Sequence, residues 1–224
     1  MHYLLYSLQY CATWLGPADA EHHAAASGQR PAATGKRSST SLDAGASFTV
    51  QSISLADANQ FALNRYGPSP SFLVFHPDLR RQQILARNWT LVADLSGQLA
   101  SGPLIVNEQY AAGGVDSVRG YTEAERLGDR GARTSAELRT PQLFASRPRV
   151  ADSYFYLFAD AARVRVLDPQ PGERTGYHLA SEGIGYRFKF AGWSADVDGA
   201  RADSAGLVTR AGGYSAQFRV AYSW

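Results

Sequence analysis

The sequence predicts an all-β fold, the wall of an antiparallel transmembrane β-barrel, and three observations carry that expectation. The first is the end of the chain. Tyr214, Ala216, Phe218, Val220, Tyr222 and Trp224 are apolar or aromatic, while Ser215, Gln217, Arg219, Ala221 and Ser223 between them are polar or small. Side chains along a strand point alternately to opposite faces, so one face of this segment is apolar and the other wet. A water-soluble sheet would need a second layer over the apolar face. A barrel in a membrane needs only lipid outside and water inside. The second observation is that several earlier segments repeat this alternation. The third is that the connections between segments are short and long in turn, as in barrels with short inner turns and long outer loops.

Nine strands are expected, at about 2–14, 41–54, 71–83, 88–101, 131–143, 150–161, 176–190, 192–203 and 212–224. In the first, Leu4, Tyr6, Leu8, Tyr10, Ala12 and Trp14 share a face opposite Ser7, Gln9, Cys11 and Thr13. In the fourth, Trp89, Leu91, Ala93, Leu95 and Leu99 oppose Thr90, Asp94, Ser96 and Gln98. In the seventh, Ile184, Tyr186, Phe188 and Phe190 oppose Gly185, Arg187 and Lys189. The second, third and eighth show the pattern less cleanly. Connections near 84–87, 144–149 and 191 are short, whereas those at 55–70, 102–130, 162–175 and 204–211 are mostly longer. The stretch 15–40, rich in Ala, Gly, Ser and Pro, breaks the rule and is expected to be a disordered insertion. Trp14, Trp89, Trp193 and Trp224 all fall at strand ends on the rim expected to face the periplasm. They are expected to form one interfacial ring, where amphipathic indoles prefer to sit.

Bulk properties exclude several classes. Lys and Arg total 22 against 20 Asp and Glu, and the basic residues are scattered, so no nucleic-acid footprint exists. No apolar run is long enough for a transmembrane helix, a test that is nearly blind to alternating strands. Cys11 is the only cysteine, so an internal disulfide is impossible. The start, Met1-His2-Tyr3-Leu4-Leu5-Tyr6, lacks the features of a secretory signal, so the chain is expected to be a fragment of a longer protein. Phosphate-loop and nucleophile-elbow patterns are missing. His22-His23 has no evident third ligand, and His2, His76 and His178 are isolated. Asn88-Trp89-Thr90 fits a glycosylation pattern but opens an expected strand. Neither catalysis, nor a cofactor, nor a metal is expected.

The most specific segment is Gly113-Gly114-Val115-Asp116-Ser117-Val118-Arg119-Gly120-Tyr121, followed by Leu127-Gly128-Asp129-Arg130-Gly131 and Glu137-Leu138-Arg139. Val118-Arg119-Gly120-Tyr121 resembles the signature loop of the BamA/TpsB superfamily of outer-membrane transporters. The surrounding residues, with Gly-Asp-x-Gly downstream, are similar to the two-partner-secretion branch (TpsB; haemolysin secretion/activation, FhaC/ShlB-like). A second match is Phe158-Ala159-Asp160-Ala161-Ala162, similar to the family's Phe-x-Asp-x-Gly on an inner strand, with Ala162 where Gly is usual.

The resemblance implies that residues 1–224 are a partial outer-membrane barrel domain, nine strands of sixteen, with 102–130 as signature loop and without the periplasmic POTRA domains. It implies that the loop folds into the lumen and that Arg119 pairs with Asp160, beside Phe158. Arg presents a planar fork of donors that suits a carboxylate. Gly120 would permit close backbone approach or positive φ, and Tyr121 would pack its ring and anchor its hydroxyl. Without the flanking match, Arg119 would be an ordinary loop arginine and Asp160 an ordinary strand-ending aspartate. Glu137 and Arg139 share the inward parity and are expected to line a solvated wall. The terminal aromatic strand would serve as the membrane-insertion signal. The implied function is outer-membrane export of a large TpsA-like exoprotein, with outer-membrane lipid and the barrel-assembly machinery as further partners. The alternatives are a BamA-like assembly factor, sharing the Val-Arg-Gly-Tyr loop, and a β-protein with no transport role.

Overall fold

The computed structural model describes residues 5–16, 38–49, 71–147 and 149–223. Its strands, in chain order, are β1 (Tyr6–Leu15), β2 (Ser38–Thr49), β3 (Phe72–Ile84), β4 (Thr90–Ala100), β5 (Tyr110–Ala112), β6 (Arg126–Gly128), β7 (Arg130–Arg139), β8 (Val150–Arg165), β9 (Gly176–Phe190), β10 (Trp193–Ala202) and β11 (Tyr214–Tyr222). Nine of them form one antiparallel sheet in the order β1-β2-β3-β4-β7-β8-β9-β10-β11, and β5 pairs with β6 in a small separate ribbon. All nine expected strands are therefore present, each beside its neighbour along the chain. The sheet is open: β1 and β11 are its end strands and do not pair with each other among the described residues.

Local chemistry sets the turns. β9 and β10 are joined by Ala191 and Gly192, both with positive φ, which matches the right-handed strand twist in a two-residue hairpin. Arg87 and Asn88 supply the same sign of φ between β3 and β4. β7 stops at Arg139 rather than at 143, because Pro141 has no N–H to give the ladder. β8 continues to Arg165, past the expected end at 161. Leu15 closes β1 and Ser38, Ser39 and Thr40 open β2, so these ends of the expected 15–40 insertion are strand. Residues 17–37 of that insertion, including His22-His23, lie outside the described residues, as do the 55–70 loop and Trp224. Trp14, Trp89 and Trp193 stand at one edge of the sheet, and the Trp193 ring lies 4.9 Å from that of Tyr222.

The register sorts the two faces. Leu91, Leu138, Leu157 and Ile184 lie in one row across four strands on the outer face. Leu157 and Ile184 are more than half exposed (55% and 54%), which is the signature of a face without a covering layer. The outer side chains of the last strand fare the same: Tyr214 and Phe218 are 83% and 80% exposed, with Val220 and Tyr222 also open. A contiguous apolar face of this width suits hydrocarbon, not water. The adjoining inner row is Asp94, Ser135, Asp160 and Ser181. That inner face is covered from β3 to β10 by the segment from 101 to 129. Leu104 and Ile105 pack on Phe72, Val74 and Ala100, and Ala112, Val118 and Tyr121 pack on Ala162, Val164, Leu179 and Ala202.

Candidate functional site

Two neighbouring strands build the floor of the site. Pairing sets Ser135 of β7 opposite Asp160 of β8, and Glu137 opposite Phe158. All four side chains point inward, so two carboxylates, a hydroxyl and an aromatic ring form one polar floor. Above it the segment 101–129 leaves β4, forms the β5–β6 ribbon and returns to β7. Gly113 and Gly114, with φ of 109° and 104°, turn the chain at the ribbon's end. Val118 is fully buried, and Arg119 then points down onto the floor.

Arg119 engages all three guanidinium nitrogens and its backbone N–H. Its Nε donates to Asp160 Oδ2 at 2.7 Å and its Nη2 to Asp160 Oδ1 at 2.8 Å. Its Nη1 donates to Glu137 Oε1 at 2.7 Å, and Nη2 also reaches Ser135 Oγ at 3.2 Å. The Arg119 backbone N–H adds a bond to Asp160 Oδ2 at 3.1 Å. Ser135 in turn donates to Asp160 Oδ1 at 2.6 Å. The guanidinium carbon stands 3.6 Å from the centroid of Phe158. Arg119 and Asp160 are 6% and 3% exposed, so this is a buried, charge-assisted, two-pronged clasp. Burial alone would pull the Arg119 pKa down, but bonds and charges from Asp160 and Glu137 raise it further, and the group stays cationic. Arg139 closes the outer side of Glu137 through Nε at 2.9 Å and Nη2 at 2.6 Å. The charges thus alternate along Arg139, Glu137, Arg119 and Asp160.

Glu137 corrects an expectation. Parity places it on the inner face, as anticipated, but it is buried (8% exposed) and is a full member of the clasp, not part of a solvated wall. Sequence reading did not name Ser135 and placed Glu137 only on the inner wall, because membership of the clasp depends on the β7–β8 register, which parity does not fix. Ala162 also settles without difficulty: it faces inward, is 6% exposed and packs beneath Val118 and Tyr121.

The next two residues fasten the loop sideways. Gly120 has φ of 94°, and a Cβ there would meet the Ala200 Cβ at 3.1 Å, so both conformation and space favour glycine. The Tyr121 ring is 2% exposed. Its hydroxyl accepts from the backbone N–H groups of Ala180 (3.3 Å) and Ser204 (3.2 Å). The carbonyls of these same two residues, each at 2.8 Å, compete for its single proton. Downstream, the fully buried Asp129 accepts the N–H of Leu104 at 2.7 Å and of Leu167 at 2.6 Å. It thereby ties the start of the loop to the β8–β9 connection.

A second polar group lies beside the clasp. The Tyr156 hydroxyl meets carboxyl oxygens of both Asp196, at 2.5 Å, and Asp198. Arg187 donates from Nε to Asp196 at 2.7 Å and from Nη1 to the Tyr154 hydroxyl at 3.2 Å. Aromatic inner residues on β8 fit because β9 places Gly183 and Gly185 opposite Phe158 and Tyr156. At the apex, Asp116 pairs with Arg219 of β11 at 2.6 Å.

The architecture defines a class: an antiparallel wall, apolar outside and polar inside, with an arginine-bearing loop clasped to its inner surface. The chain matches the family of haemolysin secretion/activation proteins ShlB/FhaC/HecB over residues 33–188, and it belongs to that family. Among solved structures it is similar to CdiB from Acinetobacter baumannii, at 17% sequence identity and a TM-score of 0.42, over 97% of this chain and 42% of that one. The chain thus spans well under half the length of CdiB. No curated protein matches it.

Proposed function

We propose that this chain forms part of the wall of an outer-membrane transporter that exports a large exoprotein in two-partner secretion. Membership of the haemolysin secretion/activation family supports the reading. The observation that carries it furthest is the fourfold satisfaction of Asp160 by Arg119 and Ser135. That arrangement fixes a loop against the polar inner surface, where a translocating chain would pass. The loop acts as a brace or plug whose position sets the free width of the path. No step here needs a nucleotide, a metal or a cofactor. The substrate is a TpsA-like exoprotein, the lipid of the outer membrane faces the apolar surface, and the barrel-assembly machinery inserts the strands. Tyr214, Phe218, Val220, Tyr222 and Trp224 would carry the insertion signal.

The test is export of the cognate exoprotein by the full-length transporter. Arg119→Ala and Asp160→Ala should each reduce export sharply at equal levels of folded protein in the membrane, with folding checked by heat-modifiable migration. Undiminished export by both variants would refute the role of the clasp.

A further inference from the structure

Glu125 sits in the loop four residues beyond Tyr121, and the clasp makes no use of it. It is 3% exposed, and no arginine or lysine forms an ion pair with it among the described residues. Neutral donors from two separate parts of the chain surround its carboxylate instead. From its own loop, Thr122 gives its backbone N–H at 3.2 Å and its hydroxyl, both to Oε2. From the β10–β11 connection, Val208 and Thr209 give backbone N–H groups to Oε1 at 2.6 and 2.9 Å, and the Thr209 hydroxyl reaches Oε2 at 3.0 Å. The connection folds around this carboxylate. Its turn is closed by the Gly206 N–H on the Thr209 carbonyl at 2.8 Å, and a Cβ at Gly206 would lie 2.1 Å from Glu125 Oε1.

Two neighbours reinforce the same junction. Tyr121 holds Ser204 at the start of the connection, and Arg126 Nη2 donates to the Gly206 carbonyl at 2.9 Å. Three residues of the inner loop therefore grip one external connection at successive points. By contrast, side chains of that connection are open: Leu207 and Val208 are 72% and 69% exposed. Its order comes from the inner loop and not from a core of its own.

We infer that Glu125 is a latch that makes the inner loop and the β10–β11 connection a single moving body. The inference rests on the transporter reading for its purpose: withdrawing the brace from the path would carry the outer mouth of the β10–β11 hairpin with it. Opening at the inner clasp and opening at the outer rim would then be one event. A carboxylate suits this site because the three backbone N–H groups facing it, from Thr122, Val208 and Thr209, can only donate. A glutamine of the same shape would turn its NH₂ toward a backbone N–H on one side or the other and could not satisfy both sets.

The experiment uses the full-length transporter with Cys11→Ser and two spin labels, at Ala111→Cys on β5 and Leu207→Cys on the connection. Both positions are exposed. Pulsed distance measurements should give one narrow distribution in the otherwise unaltered protein. Glu125→Gln should lose it and give a broad one. Arg119→Ala, with Glu125 intact, should keep it narrow, because the freed loop and the connection move together. A narrow distribution in Glu125→Gln, or a broad one in Arg119→Ala, would overturn the latch. If Glu125→Gln fails to assemble, Thr209→Val removes one hydroxyl donor and leaves the backbone bonds. It should give a smaller broadening, and no change there would also overturn the proposal. Export activity does not enter this readout, so a failure of the transporter reading would remain distinguishable.

Discussion

Two of the arginine–aspartate pairs on the inner face, Arg80–Asp94 and Arg119–Asp160, differ in everything except chemistry. Arg80 and Asp94 face each other directly across β3 and β4, with Nη1 3.1 Å from Oδ1. The Arg80 side chain is 46% exposed. Arg119 reaches Asp160 from a loop, and those side chains are 7% and 0% exposed. The first pair decorates a wall that is already formed. The second holds in place a segment that has no ladder of its own to the sheet. An exposed pair gains little because water already solvates both partners. A buried one matters because removing either partner strands the other without solvent. The comparison implies that the effect of breaking an ion pair here follows burial and connectivity, not distance.

The largest expected effect is therefore at Asp160. Asp160→Ala would leave three Arg119 donors and the Ser135 hydroxyl without their acceptor. The cost should be about 3–5 kcal/mol, read as a shift in the urea midpoint of the refolded full-length protein in lipid vesicles. A change as small as that at Arg80 would mean that water fills the clasp at little cost.

Glu137 should come next. It links two arginines, so Glu137→Gln weakens contacts to both but keeps the shape. A loss of about 1.5–3 kcal/mol is expected, that being the range for hydrogen bonds to charged groups. The Glu137→Ala and Arg139→Ala cycle should show a coupling of about 0.5–3 kcal/mol. Additive effects would mean that Arg139 is a bystander.

This ranking also marks what was legible from the sequence. The nine strands, their faces and the inward aim of Asp160 follow from period-two alternation, because a strand has only two faces to offer. Pairing of Arg119 with Asp160 came from the wording of two motifs, not from periodicity. Glu137 escaped because its neighbour across β7 and β8 is set by register, and a shift of two residues keeps parity while changing every partner. Glu125 escaped for a different reason. Its partners are backbone N–H groups of a loop about 80 residues away, and the side-chain pattern carries no trace of them. Strand ends were the least legible, as the early stop of β7 and the long run of β8 show.

Glu125 gives a pH prediction whose effect should be local. Burial would raise its pKa, but the hydrogen bonds from Thr122, Thr209 and Val208 outweigh that and lower it from 4.5 to about 2. A depressed carboxylate pKa contributes stability that is fully present above the unfolded value and is lost as pH falls through the folded one. The latch should therefore be indifferent to pH from neutrality down to about 5 and weaken between roughly 4.5 and 2. The distance between labels at Ala111 and Leu207 should follow that window. Loosening already between pH 7 and 6 would point to a different titrating group.

The smallest effect should be at Arg80. Arg80→Ala removes a cross-strand pair whose arginine is half in water, while β3 and β4 keep their backbone ladder. The change should stay within about 1 kcal/mol and shrink further as salt rises. It should also leave the position of the inner loop unaltered, since Arg119, Tyr121 and Glu125 do not bond to it. A loss approaching that of Asp160→Ala would remove the distinction drawn between wall and clasp. It would mean that Arg80 and Asp94 belong to the same coupled network, with Asp94 joined through the inner row to Ser135 and Asp160. Because that row places Asp94 directly opposite Ser135, the double variant Arg80→Ala with Ser135→Ala is the decisive measurement. Additivity of the two keeps the exposed pair outside the clasp, and a coupling above about 0.5 kcal/mol would place it within.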